Sequence, residues 1–192
     1  MTTLRLAAYF AVSLALAKTV TASPGIALLD DSAYREAIGC GRTGEHCAVT
    51  PYALCPSTLA SYTASLATPY SRVAGSVYNA IHARRRVRPM ELRPANQWGA
   101  GIYVFPATGD GQADSIQRVT LTRGSRVIEP VTTTLAPVTV SGGETPRKEL
   151  AKGYFAFPMG AFAPGESVTI TFTGARGHAS CTLDADRLSE LR

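Results

Sequence analysis

Lys152-Gly153-Tyr154-Phe155-Ala156-Phe157-Pro158-Met159-Gly160-Ala161-Phe162-Ala163-Pro164-Gly165-Glu166-Ser167-Val168-Thr169-Ile170-Thr171-Phe172-Thr173-Gly174 is the stretch of this 192-residue chain whose reading decides the fold. Val168, Ile170 and Phe172 alternate with Thr169, Thr171 and Thr173. A period of two in β-branched and aromatic residues predicts a strand with one buried face. Pro164-Gly165 just before it is a turn dipeptide. Upstream, Tyr154 to Phe157 reads as a second, aromatic strand closed by Pro158. The two together predict an antiparallel β domain.

Working outward, turn clusters and short strands recur every ten residues or so from Gly99 onward. Strands are expected at Ile102–Phe105, Ile116–Thr122, Val138–Val140 and Ser180–Leu183, and over Arg126–Leu135 as one strand interrupted by Pro130. With the opening pair this makes about seven short strands, which favours a two-sheet sandwich of the immunoglobulin-like kind over a barrel. The run Phe162-x-Pro164-Gly165-x-x-Val168-x-Ile170-x-Phe172 resembles a pattern of many bacterial immunoglobulin-like modules. It is a common turn-and-strand pattern and identifies no family. Asp184 is placed to cap a short C-terminal helix over residues 184–192.

The N-terminal half reads as helical. Asp30-Asp31-Ser32 caps a short helix over Ala33 to Ile38, ended by Gly39-Cys40-Gly41. Leu59, Tyr62 and Leu66 share a helical face after Pro56-Ser57-Thr58. Thr68-Pro69 opens the clearest helix, with Tyr70, Val73, Ala74, Val77, Tyr78 and Ile81 at helical spacing. It is expected to end near Arg86, with Arg84, Arg85 and Arg86 in its last turn. The fold class is therefore α+β and mainly β. Residues 23–97 form a cysteine-stapled helical segment and residues 98–183 form the sandwich.

Residues 1–22 read as an export signal: Arg5, then the apolar run Leu6–Ala17, then Val20-Thr21-Ala22 for cleavage after Ala22. The run is too short to span a bilayer, which needs roughly 20 helical residues. About 170 residues remain, one domain by size. Net charge is +5, and the signal accounts for two of those charges through Arg5 and Lys18. Such a mild excess on an exported chain does not call for nucleic acid. After export the chain is secreted or periplasmic, with no transmembrane segment expected.

Cys40, Cys47, Cys55 and Cys181 then predict two disulfides. In each of the three connectivities Cys181 pairs with one of the early cysteines, which ties the sheet region back to the N-terminal segment. Their spacing does not match a zinc knuckle, although His46 is adjacent to Cys47. No cofactor or metal is expected. Asp110 and Asp114 flank Gly111 without the alternating oxygen ligands of a calcium loop.

Candidate binding residues are Arg85, Arg88 and Arg93 in the Arg84–Arg93 cluster, and Trp98, the single tryptophan. Arginine forks suit phosphate, a sulfated sugar or a lipid headgroup. Tyr103, Phe105 and Tyr154 could add a sugar-stacking platform with Phe155, Phe157 and Phe162, although alternate strand residues must face the core. His178, near Asp184 and Asp186, is the candidate base of a spatially assembled hydrolase, but no Gly-x-Ser-x-Gly elbow exists. No catalytic residue is assigned. The expected function is an exported non-catalytic binding or structural accessory module of the cell envelope or extracellular space, with a partner protein or envelope component. An exported hydrolase and an anionic-ligand binder through Arg84–Arg93 are the alternatives.

Overall fold

The computed structural model describes residues 29–44, 51–55, 59–92, 99–107, 112–140 and 148–191. Residues 1–22, read above as an export signal, lie outside the described residues, as do His46, Cys47, Arg93, Trp98 and Asp110. In chain order the elements are α1 (Asp31–Thr43), β1 (Tyr52–Leu54), β2 (Tyr62–Ala67), α2 (Pro69–His82), α3 (Pro89–Leu92), β3 (Ala100–Pro106) and β4 (Ile116–Arg123). Then come β5 (Arg126–Ile128), β6 (Thr132–Val140), β7 (Lys148–Phe157), a 3₁₀ turn (Met159–Phe162), β8 (Val168–Gly174), β9 (His178–Leu183) and α4 (Ala185–Glu190). No helix among the described residues is long and apolar enough to cross a membrane.

The protein is mainly β, in two antiparallel sheets. One has the order β1-β2-β3-β7-β6 and the other β5-β4-β8-β9. The chain lays strands down in pairs, β4–β5 in the four-stranded sheet, β6–β7 in the five-stranded one, β8–β9 back in the first of these. The period-two reading of β8 holds residue by residue: Val168, Ile170, Phe172 and Gly174 are buried and the threonines between them are not. One apolar cluster draws on both sheets, with Leu66, Ile102, Val104, Phe155 and Phe157 from one and Ile116, Val119, Leu121, Ile170 and Phe172 from the other. Phe162, from the 3₁₀ turn, fills the same core and meets Phe157 edge-on at 6.0 Å. Each such side chain stabilises the fold by roughly 1.5–3 kcal/mol on burial.

Several local expectations are corrected. Residues 59–66 do not form a helix: Tyr62–Ala67 is a strand between β1 and β3. Tyr62 and Leu66 are four apart, a spacing that suits a helix face and a strand face alike. Ala64, buried between them, belongs to the strand pattern. The segment expected to be helical thus supplies β1 and β2 to the five-stranded sheet. Arg126–Leu135 is not one interrupted strand either. β5 and β6 lie in different sheets, and Pro130 sits at the crossing. Val138–Val140 is the end of β6, whose Pro137 is tolerated because β6 is an edge strand.

α1 continues past Gly39-Cys40-Gly41 to Thr43, capped at its start by Asp30, whose Oδ1 accepts from Ala33 N at 2.7 Å. Gly41 is a packing residue: a Cβ there would stand 2.4 Å from the Ala74 carbonyl oxygen of α2. The helix stops at Gly44, left-handed at φ 68°. α2 begins as expected, with a reciprocal cap in which Ser71 N donates to Thr68 Oγ1 at 3.1 Å and Thr68 N donates to Ser71 Oγ at 2.9 Å. It ends at His82, not near Arg86. Arg84 N donates to Ile81 O and Arg85 N to Ala80 O, both at 2.9 Å, which is the Schellman closure. Arg84 adopts φ 51° to make it, at a cost of about 1 kcal/mol for a residue with a Cβ. The arginines therefore lie beyond the helix and not in its last turn.

Cys181 on β9 is bonded to Cys55, just past β1, across a sequence separation of 126. Cys40 is also disulfide-bonded. The Cys55–Cys181 bridge ties the edge strand of one sheet to that of the other and stabilises the fold by about 5 kcal/mol in the chain-entropy model. Non-reducing peptide mapping should recover Cys55 and Cys181 in one cross-linked peptide. Replacing both with serine should lower the unfolding free energy by up to about 5 kcal/mol in urea; an unchanged midpoint would contradict the tie.

Candidate functional site

Of the arginines singled out, Arg85 is already engaged. It holds Glu91 of α3 bidentately, with Nη1 to Oε2 and Nη2 to Oε1 both at 2.8 Å. Arg88 N donates to the same Oε2 at 2.9 Å. The Arg85 hydrogen bond, followed by that of the Arg88 amide, holds the Glu91 carboxyl below its usual range. This clamp closes the chain after α2, so Arg85 serves the turn. Arg84, Arg86 and Arg88 are exposed around it.

His178 opens β9 and Asp184 follows its end, so an extended strand of about 20 Å separates them. Asp184 caps α4, accepting from Arg187 N at 2.8 Å. These residues do not assemble into a triad.

Asp114 has a structural task. The residue is only 5% exposed, and its carboxylate accepts from Tyr62 Oη at 3.1 Å, Arg176 N at 3.0 Å and Ser115 N at 2.8 Å. The Arg176 guanidinium stands 3.7 Å away and also donates to the carbonyls of Gln112 and Ala113. Gly174 leaves room for this cluster, since a Cβ there would stand 1.8 Å from Tyr62 Oη. Burial pushes Asp114 up, but the Arg176 amide, the Tyr62 hydroxyl and the Ser115 amide outweigh it and hold the carboxyl below its ordinary value. Burial foremost, then the Asp114 charge, pushes the Tyr62 hydroxyl well above its ordinary value. The network pins β2 to the segments flanking β4 and β8.

The aromatic platform divides by strand parity. Phe155, Phe157 and Phe162 are fully buried in the core. Tyr103, Phe105 and Tyr154 stand on the opposite, outer face of the five-stranded sheet. Register places Ser65, Tyr103, Tyr154 and Thr134 in one row across β2, β3, β7 and β6. The Tyr103 and Tyr154 rings meet at 4.7 Å. Phe105 is 44% exposed, and Lys152 Nζ lies 5.7 Å from its ring centroid. At the α2 side, the Arg72 guanidinium lies 5.5 Å from the Tyr154 centroid. Burial pushes the Tyr154 hydroxyl above its ordinary value, partly offset by the Arg72 charge.

This face gathers three aromatic rings, two cations and a row of hydroxyls. Chemically it can stack on apolar rings or sugar faces and donate to acceptors. Lys152 is readable from sequence as the strand neighbour of Tyr154 on the same face; Arg72 is not, because only the docking of α2 brings it there. No protein-family model, curated protein or solved structure matches the chain.

The Asp114 carboxyl, with its native pKa lowered from 3.8, adds stability that is complete above that value and is lost as pH falls through the lower native one. Asp114→Asn should therefore be less stable than the wild type at pH 7, with the gap narrowing as urea denaturation is repeated down to pH 2. A gap constant with pH would contradict this role.

Proposed function

We propose that this protein is an exported, non-catalytic binding module, built as an immunoglobulin-like sandwich, that holds a component of the cell envelope or extracellular space against the outer face of its five-stranded sheet. The observation that carries the reading is the exposed Phe105 beside Lys152, continuous with Tyr103 and Tyr154. Large aromatic side chains need burial to stabilise the fold, and the core already takes Phe155 and Phe157 from β7, the strand paired with that of Phe105. An aromatic left half in water beside a cation is what a contact surface presents.

Export is supported by the Cys55–Cys181 disulfide, which persists in oxidising compartments, and accords with the leader read at residues 1–22. Pairing of the two sheets over one core supports the sandwich. The immunoglobulin-like label adds analogy, and function rests on the face and not on the label. The hydrolase alternative gains nothing from His178, which lies a strand's length from Asp184. Anion binding through Arg84–Arg93 is weakened by the commitment of Arg85 to Glu91.

The mature protein, immobilised, should retain one component from separated polysaccharide and protein fractions of its own envelope. The Phe105→Ala/Lys152→Glu variant should retain it at least about ten-fold more weakly while keeping the wild-type circular dichroism. Equal retention by both proteins would overturn the reading.

A further inference from the structure

The outer face has an unusual feature at its α2 end. Arg72 Nη1 and Tyr154 Oη are both buried, and neither has a hydrogen-bond partner among the described residues. Buried polar groups in folded proteins are nearly always satisfied, so two unsatisfied donors side by side call for a physical reason. The contrast with other arginines sharpens it. Arg85, Arg118, Arg123 and Arg176 each face a carboxylate, respectively Glu91, Glu129, Glu166 and Asp114. Arg72 faces the Tyr154 ring instead.

We infer that Arg72 and Tyr154 form an oxyanion-binding site, which takes a carboxylate, sulfate or phosphate group carried by the ligand of the five-stranded sheet. The inference rests on the binding reading above and names the chemistry of that ligand. A guanidinium fork offers paired N–H donors matched to such groups, and the Tyr154 hydroxyl adds a third donor. Lys152 stands two residues from Tyr154 on the same face of β7 and supplies a second positive charge. The residues registered beside them are Ser65, Tyr103 and Thr134 in one row and Ala67, Gly101, Ala156 and Thr132 in the next. None is acidic, so an incoming anion meets no like charge in these rows.

The site is built to hold its parts in place. Arg72 follows directly on the Thr68–Ser71 reciprocal cap, which fixes the backbone of the first turn of α2. Tyr154 is seated by Gly101, where a Cβ would stand 2.5 Å from the hydroxyl oxygen, and by the Tyr103 ring. Its hydroxyl remains a donor across neutral pH because burial disfavours ionisation. Arg72 as a whole is half-buried, so part of its side chain meets solvent, and binding requires the guanidinium to turn from the ring face and bring the buried Nη1 to the ligand.

The test titrates the mature protein at low ionic strength with sodium phosphate, sodium sulfate, sodium acetate, galacturonate and glucose 6-phosphate, followed by NMR of the arginine side-chain N–H groups. At least one oxyanion should bind saturably at Arg72. Arg72→Gln should weaken it ten-fold or more and Tyr154→Phe about three-fold, with Arg84→Gln as an unchanged control. The sugar-borne arms, set against the inorganic ones, tell whether a free anion or an acidic sugar is the source. No saturable binding, or binding equal in Arg72→Gln, overturns the site, as does a Tyr154→Phe variant that gains stability and binds every anion as the wild type does. Retention of the envelope component by Arg72→Gln at wild-type strength also overturns the oxyanion site, while leaving the binding face intact. Full retention by Phe105→Ala/Lys152→Glu overturns the binding face itself.

Discussion

Closing two antiparallel sheets over one apolar core is the constraint from which the other features follow. β8 and β7 sit in the interiors of their sheets, and Val168, Ile170 and Phe172 of the one and Phe155 and Phe157 of the other point into the shared core. Phe172 of β8 meets Tyr62 of β2 across the gap at 6.3 Å. Tyr62 carries a hydroxyl into that boundary, and a hydroxyl cannot be left dry without a partner. Asp114 supplies one, and its own charge is then balanced by two amides and the Arg176 guanidinium. The polar cluster is thus a consequence of where the core ends, and the space it occupies depends on Gly174 having no side chain.

The outer face follows from the same alternation. With Phe155 and Phe157 committed inward, Lys152, Tyr154 and Ala156 must point outward. Ala156 is almost completely buried although it points away from the core. Arg72 reaches Tyr154 from α2, and Gly41 lets α1 pack close behind at Ala74. Helices and sheet therefore share the work of shaping the site: the sheet sets the row of rings and hydroxyls, and α2 adds a cation at one end.

Where a local pattern had one interpretation, the sequence was enough. β8 alternates strictly, α2 carries a cap, a proline at its first position and a long apolar stripe, and the arithmetic of four cysteines required a bond at Cys181. Tyr62 and Leu66 misled because a spacing of four suits two geometries, and what decides between them is pairing with β3, a partner nearly forty residues away in sequence. Pro130 marked a real break, but whether a strand resumes in the same sheet is a question of topology, not of composition. The arginine cluster drew attention by its density, yet Glu91 absorbs its central member. Arg72, a single arginine in a helix, gave no local signal. Its interest lies wholly in the tyrosine that tertiary packing puts beneath it.

The Cys55–Cys181 bridge has a mechanical side. It joins the chain just after β1 to a residue of β9 and encloses all the strands from β2 to β8. A pull applied on the two flanks of the bridge passes through the sulfur atoms and leaves the enclosed chain without load. At roughly 3.4 Å per extended residue, a separation of 126 withholds about 430 Å of contour length from the force. A domain laced this way yields only its outer segments when stretched, so its sheets and the face they carry keep their shape under shear for as long as the bridge stays oxidised.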